Sequence, residues 1–286
     1  MKTYPSIPRV ENAPPELFAS GHLWIQEKID GANFRFQLRE SGVVRFGGRN
    51  RTFDPDDVPT PYRHAVRHVR ERLDRSALRA AVDDVESVVF FGEATHRHAV
   101  DYDWDRLPSV LGFDVWDGAA GQFLPPDAVE GVFERLGLEP VNAVEKEVRA
   151  TDFDPESYEI PASAWYDGPA EGVVVRDKTG HRAKLHHPTF REVDETVPVD
   201  GTPAELARRY VTDRRLEKLA AKLERGGRPV TVDALFERAL ADVVREEHKQ
   251  LFHGDSAVDM RAFRSAVAAR TREFLDERGR DTGRET

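Results

Sequence analysis

The strongest constraint on the fold is a change of periodicity near residue 198. Before it, apolar residues come in short runs or strict alternation; after it, they recur at helical spacing. Phe34, Phe36 and Leu38 alternate with Arg35, Gln37 and Arg39, reach the turn Glu40-Ser41-Gly42 and resume as Val43-Val44-Arg45-Phe46, which predicts a half-buried β-hairpin. Short strands are expected at Val88 to Phe91, Val110 to Trp116, Gly172 to Arg176 and Arg182 to His186, the last two flanking the turn Asp177-Lys178-Thr179-Gly180. Ala65, Val66, Val69, Leu73, Leu78 and Val82 predict one amphipathic helix from Tyr62 to Val85, and Pro125-Pro126 opens another from Asp127 to Leu136. The pattern breaks within Glu195 to Gly201. Thr202-Pro203-Ala204-Glu205 then has the form of a capping box with proline at the first helical position. Helices are expected from there to Gly226-Gly227, from Val232 to Phe252, and from Ala257 to Arg278 behind Ser256. Two domains follow, 1–198 and 199–286, the second all helical.

A chain of 286 residues is long enough for one large domain and a small one. Its 39% hydrophobic and 33% charged residues read as soluble and globular. No apolar run approaches the roughly 18 residues of a membrane span, and Met1-Lys2-Thr3-Tyr4-Pro5 lacks the apolar core of a signal peptide. A cytoplasmic protein without a membrane partner is expected. The absence of cysteine excludes disulfides, thiolate catalysis and cysteine-ligated zinc, so a metal would need oxygen or imidazole ligands. The formal charge of −10 is concentrated in residues 1–199, with 24 basic against 35 acidic side chains; residues 200–286 carry 18 and 17. Net charge governs solubility and association, and a local basic groove is compatible with it.

The chemistry begins at Lys28, in Glu27-Lys28-Ile29-Asp30-Gly31-Ala32-Asn33, between the apolar run Leu23-Trp24-Ile25 and the first alternating strand. A lysine at a strand end beside a glycine suits the approach of a phosphate. Four more segments follow in order: Phe90-Phe91-Gly92-Glu93, Gly112-Phe113-Asp114-Val115, Glu171-Gly172-Val173-Val174-Val175-Arg176 and Arg182-Ala183-Lys184. To act as a nucleophile near neutral pH, Lys28 needs burial and neighbouring cations to lower its pKa from about 10.4.

With those residues in hand, the chain resembles the ATP-dependent polynucleotide ligases of the covalent nucleotidyltransferase superfamily, over roughly residues 20–190. Gly31-Ala32-Asn33 makes it more similar to nick-sealing RNA ligases than to DNA ligases. The resemblance implies an α+β fold: a nucleotidyltransferase domain of antiparallel β-sheets with flanking helices, followed by a small all-α domain. It implies that Lys28 attacks the α-phosphorus of ATP to give lysyl-AMP, that AMP passes to an RNA 5′-phosphate, and that a 3′-hydroxyl displaces it, as in RNA repair. Each step is phosphoryl transfer, where positioning and charge stabilisation dominate. By the same resemblance Glu27 belongs to the nucleotide site, Glu93 accepts from the ribose hydroxyls, Phe113 stacks on adenine, and Glu171 holds Mg²⁺ (or Mn²⁺) or its water. Lys184 and Arg182 grip the α-phosphate, Asn33 meets the RNA 5′-phosphate, and Arg49 or Arg51 contacts RNA near the junction, where Gly47-Gly48 would let backbone approach phosphate.

Two departures stand out. Arginine occupies position 182 where the family pattern has lysine, and Asp30 stands where nick-sealing RNA ligases often have histidine. A DNA ligase or capping-type guanylyltransferase remains an alternative, opposed by the absence of strand patterning after residue 200. A non-catalytic nucleotide- or RNA-binding relic is another, supported by Arg182 and opposed by Lys28, Glu93 and Glu171. His96, His98, His186 and His187 lack the further ligands of a zinc site and are expected to be solvated or to face phosphate. The stripe Arg63, His64, Arg67, His68, Arg70 is expected to be a solvated helix face.

Overall fold

The computed structural model describes residues 1–190, 201–252 and 258–282. The chain divides into two compact units, Met1–Asp194 and Glu195–Thr286. Most of the expected boundary, Glu195 to Gly201, and the expected helix start at Ser256-Ala257 lie outside the described residues.

In the first unit, helix α1 (Glu16–Ala19) precedes strands β1 (His22–Lys28), β2 (Gly31–Leu38) and β3 (Val44–Gly47). Helices α2 (Arg63–Arg72) and α3 (Arg75–Ala81) lead to β4 (Val88–Thr95), β5 (Val110–Asp117) and β6 (Gln122–Phe123); α4 (Pro126–Arg135), β7 (Ala143–Arg149), β8 (Gly172–Arg176) and β9 (Arg182–His186) follow. The strands form two antiparallel sheets, ordered β7-β1-β8-β9 and β3-β2-β4-β5-β6.

Period-two alternation decides which side chains each sheet buries. In the first sheet Leu23, Ile25, Val173, Val175, Ala183 and Leu185 pack against Leu17 and Phe153. The residues between them on these strands belong to the opposite face, where Gln26, Lys28, Val174, Arg176, Arg182 and Lys184 line a cavity. In the second sheet Phe34, Phe36 and Phe90 pack against Val66 and Val69 of α2 and Phe133 of α4. That packing needs Gly112, since a Cβ there would lie 2.2 Å from the Phe133 ring.

Several expected elements differ. The helix expected from Tyr62 to Val85 is two helices, because the Asp74 carboxylate accepts the Ala77 N–H at 2.9 Å and restarts the chain as α3. Its basic stripe is not a plain solvated face: His64 is buried, His68 pairs with Glu139 at 3.2 Å, and Arg70 lies over the Phe46 ring. The α2 residues beside them are drawn onto the second sheet, and the polar residues at the margin go with them. Strand β4 runs on to Thr95, and β7, too charged to read as a strand, is an exposed edge paired only with β1.

The second unit comprises α5 (Pro203–Tyr210), α6 (Asp213–Arg225), α7 (Val232–Glu246), α8 (His248–Phe252) and α9 (Met260–Thr282). Thr202 and Glu205 form the expected capping box at α5. The helix expected to reach Gly226-Gly227 is interrupted, since the Thr212 hydroxyl accepts the Arg215 N–H at 3.3 Å and caps α6 anew. Likewise α7 and α8 divide the span expected as one helix, at Glu247. Leu206, Leu216, Leu219, Leu240, Val244 and Phe263 form the core. Among the described residues no helix is long and apolar enough to cross a membrane.

Candidate active site

Lys28 ends β1 in one sheet, and after two residues Gly31 begins β2 in the other, so the lysine stands at the seam between the sheets. The register pairs Lys28 with Gly172, which brings the preceding Glu171 alongside. Lys28 Nζ donates to Glu171 Oε1 at 2.5 Å. From the second sheet, Glu93 and Asn33, paired across β4 and β2, face the same cavity. Glu93 lies on an inner strand and not at an edge. The cavity, of about 470 Å³, is also lined by Glu27, Arg49, Phe113, Arg182 and Lys184. Arg51 does not line it and is exposed.

The electrostatics differ from expectation at Lys28. Burial pulls the Lys28 pKa down, but the Glu171 charge and hydrogen bond, with Glu93 and Asp30 beyond, outweigh it and the net shift is upward. Paired with Glu171, Lys28 is therefore held as an ammonium, against the lowered value expected from sequence. Burial pushes Glu93 up to about 8, and repulsion from Glu171 and Asp30 adds to that shift. Glu171 is raised too, first by burial and then by Asp30, against the pull of Lys28. Lys184 is lowered by burial and by repulsion from Lys28, Arg49 and Arg9. Cations and carboxylates are thus interleaved around Lys28.

Among the described residues, Asn33 Oδ1 and Glu171 Oε2 are buried in the site with no hydrogen-bond partner. Buried polar atoms normally find a partner, so both are suited to a group from outside the chain. Glu27 is different. Its carboxylate accepts from Ser163 Oγ at 2.5 Å, the Ala164 N–H at 3.1 Å and Asn142 Nδ2 at 3.2 Å, which ties β1 to Asn142 and to the loop at Ser163-Ala164. Arg182 is engaged as well, donating to Asp114 and to the Tyr4 hydroxyl.

The glycines of the motif act inside the protein. A Cβ on Gly31 would lie 2.3 Å from the Ala94 carbonyl, and one on Gly47 would lie 2.7 Å from the Arg51 carbonyl. These positions admit neighbouring backbone where the sequence suggested phosphate. Asp30 is likewise structural: Oδ2 accepts the N–H groups of His98, Ala99 and Val100 at 2.9, 2.6 and 2.9 Å. His96 is buried, and His186 lines the cavity. Among the described residues no three His, Asp or Glu side chains form a ready metal cage.

Sequence reasoning missed Tyr4, Arg9 and Gln26, and it placed Asp114 and Arg176 in the motifs without a role. Gln26 could have been found, since it alternates with Lys28 on β1 and so shares its face. Phe113 and Asp114 reach one side of the sheet through a β-bulge, where Phe91 pairs with Asp114 but Gly92 with Gly112. Asp114 Oδ1 accepts from Arg176 at 3.2 Å, and the Arg176 guanidinium also donates to the Phe113 carbonyl at 2.8 Å, which fixes the bulge.

A family model described as RNA ligase matches residues 21–191, more than half of the chain, and the chain belongs to that family. Its fold is similar to that of a Naegleria gruberi RNA ligase mutant with ATP and Mn (15% identity, TM-score 0.52, covering 66% of this chain and 57% of that one). It is also similar to the Naegleria gruberi RNA ligase with PPi (17% identity, TM-score 0.51, covering 67% and 57%). An archaeal ATP-dependent RNA ligase matches over 95% of this chain and 63% of its own length, with 15% identity and a TM-score of 0.50. The chain thus spans less than two thirds of the length of these proteins. No curated protein matches it in sequence.

Proposed function

We propose that the protein is an ATP-dependent RNA ligase that joins RNA 3′-hydroxyl and 5′-phosphate ends through lysyl-AMP and RNA-adenylate, in cytoplasmic RNA repair. The observation that carries this reading is the Lys28–Glu171 pair at the seam of the two sheets, with Lys184 and Arg49 on the cavity wall. Family membership supports it, as do the ATP, Mn and PPi of the similar Naegleria gruberi structures.

In this reading Lys28 first gives up its ammonium proton along the hydrogen bond to Glu171 Oε1; the free amine then attacks the α-phosphorus of ATP, an N–P bond forms, the P–O bond to pyrophosphate breaks, and the second N–H proton passes to the leaving pyrophosphate or to water. Lys184, on the cavity wall near Lys28 and Arg49, binds the α-phosphate, and Arg49 adds charge at the phosphates. Phe113 offers the face on which adenine stacks, and Glu93 accepts from the ribose. Glu171, with a buried orphan oxygen, fits Mg²⁺ or Mn²⁺, which needs only one or two carboxylates beside waters and phosphates. When bound, the ion neutralises charge on the transferring and leaving oxygens. Asn33 and Arg49 receive the RNA end: the Asn33 amide can donate from Nδ2 to a phosphate, and its Oδ1, which lacks a donor, can accept from a ribose hydroxyl.

The test is a duplex nick series that differs only in the sugars flanking the break. Sealing that requires ribonucleotides on the 3′-hydroxyl side is the expected result. Equal sealing of an all-DNA nick would make the protein a DNA ligase, and no sealing of any strand would leave another acceptor or a relic.

A further inference from the structure

The segment Met1–Arg9 passes from one sheet of the first unit to the other. At one end, the Arg35 guanidinium on β2, 2% exposed, donates to the carbonyls of Met1 and Lys2 at 3.3 and 2.5 Å. Lys2 Nζ lies 3.9 Å from the centroid of the Trp116 ring on β5. At the other end, the Pro8 carbonyl accepts the Lys184 N–H at 2.9 Å, and Arg9 forms a β-bridge with Lys184. Between these anchors Tyr4, Pro5 and Ile7 line the cavity.

Tyr4 is the residue on which this crossing is fixed. Its ring packs against Phe91, Phe113 and Phe123 at centroid distances of 5.1, 5.0 and 5.6 Å. Its hydroxyl donates to Asp114 Oδ2 at 2.9 Å and accepts from Arg182. Asp114 is fully buried and also paired with Arg176, so two guanidiniums and a carboxylate are organised around one phenol. Buried ionic groups stay in place only where every member is partnered. The Tyr4 ring stands at 63° to Phe113 and shares the cavity with it, so a base stacked on Phe113 is bounded by Tyr4.

We propose that Tyr4 is a specificity-determining and positioning residue of the nucleotide site. Its ring limits the space open to a purine base on Phe113, and its hydroxyl, through Arg182 and Asp114, sets β9 and therefore Lys184 against the α-phosphate. This rests on the reading of the cavity as the ATP site. The two roles separate chemically: Tyr4→Phe keeps the ring and removes the hydroxyl, whereas Tyr4→Ala removes both.

The experiment uses the full chain with wild type, Tyr4→Ala, Tyr4→Leu and Tyr4→Phe. ATP binding is measured by calorimetry. Single-turnover labelling is measured with ATP and with ATP analogues carrying a benzyl group at N6 or bulk at C2 or C8. Tyr4→Ala is expected to bind ATP about tenfold more weakly or worse, about 1.4 kcal/mol, and to take label from at least one bulky analogue that wild type refuses. Tyr4→Phe is expected to keep the wild-type refusal with a lower maximal rate. If Tyr4→Ala melts, Tyr4→Leu carries the same expectation. Wild-type affinity and refusal in folded Tyr4→Ala or Tyr4→Leu would overturn the proposal, as would parallel loss of folding and binding in all three variants without any change in analogue selectivity. A wild-type protein that neither binds ATP nor takes label would instead overturn the nucleotide reading itself.

Discussion

Lys28 and Glu171 neutralise each other at the end of adjacent strands, and neither is replaceable by an apolar side chain without leaving the other half-buried and unpaired. Glu171→Ala should abolish adenylylation and sealing together, while Glu171→Asp retains a fraction of both. Near-normal activity in a Glu171→Ala protein with a folded circular dichroism spectrum would make this a purely structural acid. Glu93 gives a pH prediction. Burial pushes it up to about 8, so above the ordinary carboxylate range and up to that pH the folded protein holds a proton that the unfolded chain has released. The Glu93 contribution to stability therefore falls as pH rises through that window. Glu93→Gln should flatten this dependence, with a melting temperature that gains on wild type at about pH 8 relative to about pH 5; parallel melting curves at both would contradict it. The residue types of this site were legible from the sequence in order and kind, but not their partners. Tyr4 and Arg182 meet across 178 positions, and no local pattern announces that contact.

At the scale of the element, the strand assignments around the site follow from alternation, which is why the faces of β8 and β9 could be read directly. The bulge at Phe113 could not, because one extra residue against β4 leaves Gly-Phe-Asp-Val looking like an ordinary strand. The helix breaks at Asp74 and Thr212 were also hidden, since apolar spacing continues through both caps. Two variants test the elements. Asp30→Ala removes the acceptor of three backbone N–H groups in the loop 98–100 and should cost about 1–3 kcal/mol in denaturant unfolding. Gly112→Ala forces a methyl into the Phe133 ring and should cost about 1–3 kcal/mol as α4 is pushed off the sheet. A midpoint unchanged in either variant would show that the loop or helix is held by other contacts.

At the scale of the whole molecule, the described residues that line the cavity belong to the first unit, whereas the second has its own helical core. A protein ending at residue 201 should therefore still form the adenylate on Lys28 and lose most nick sealing. Loss of adenylate formation by a folded first unit would mean that the helical unit takes part in the first chemical step. The central claim is that Lys28 is a nucleophile toward ATP, and it is tested most directly by incubating the pure protein with α-labelled ATP and Mg²⁺ and resolving it on a denaturing gel. An acid-labile, alkali-stable label is expected on wild type and none on Lys28→Ala or Lys28→Arg; an unlabelled wild type, or equal labelling of the Lys28 variants, would show that Lys28 is not the nucleophile.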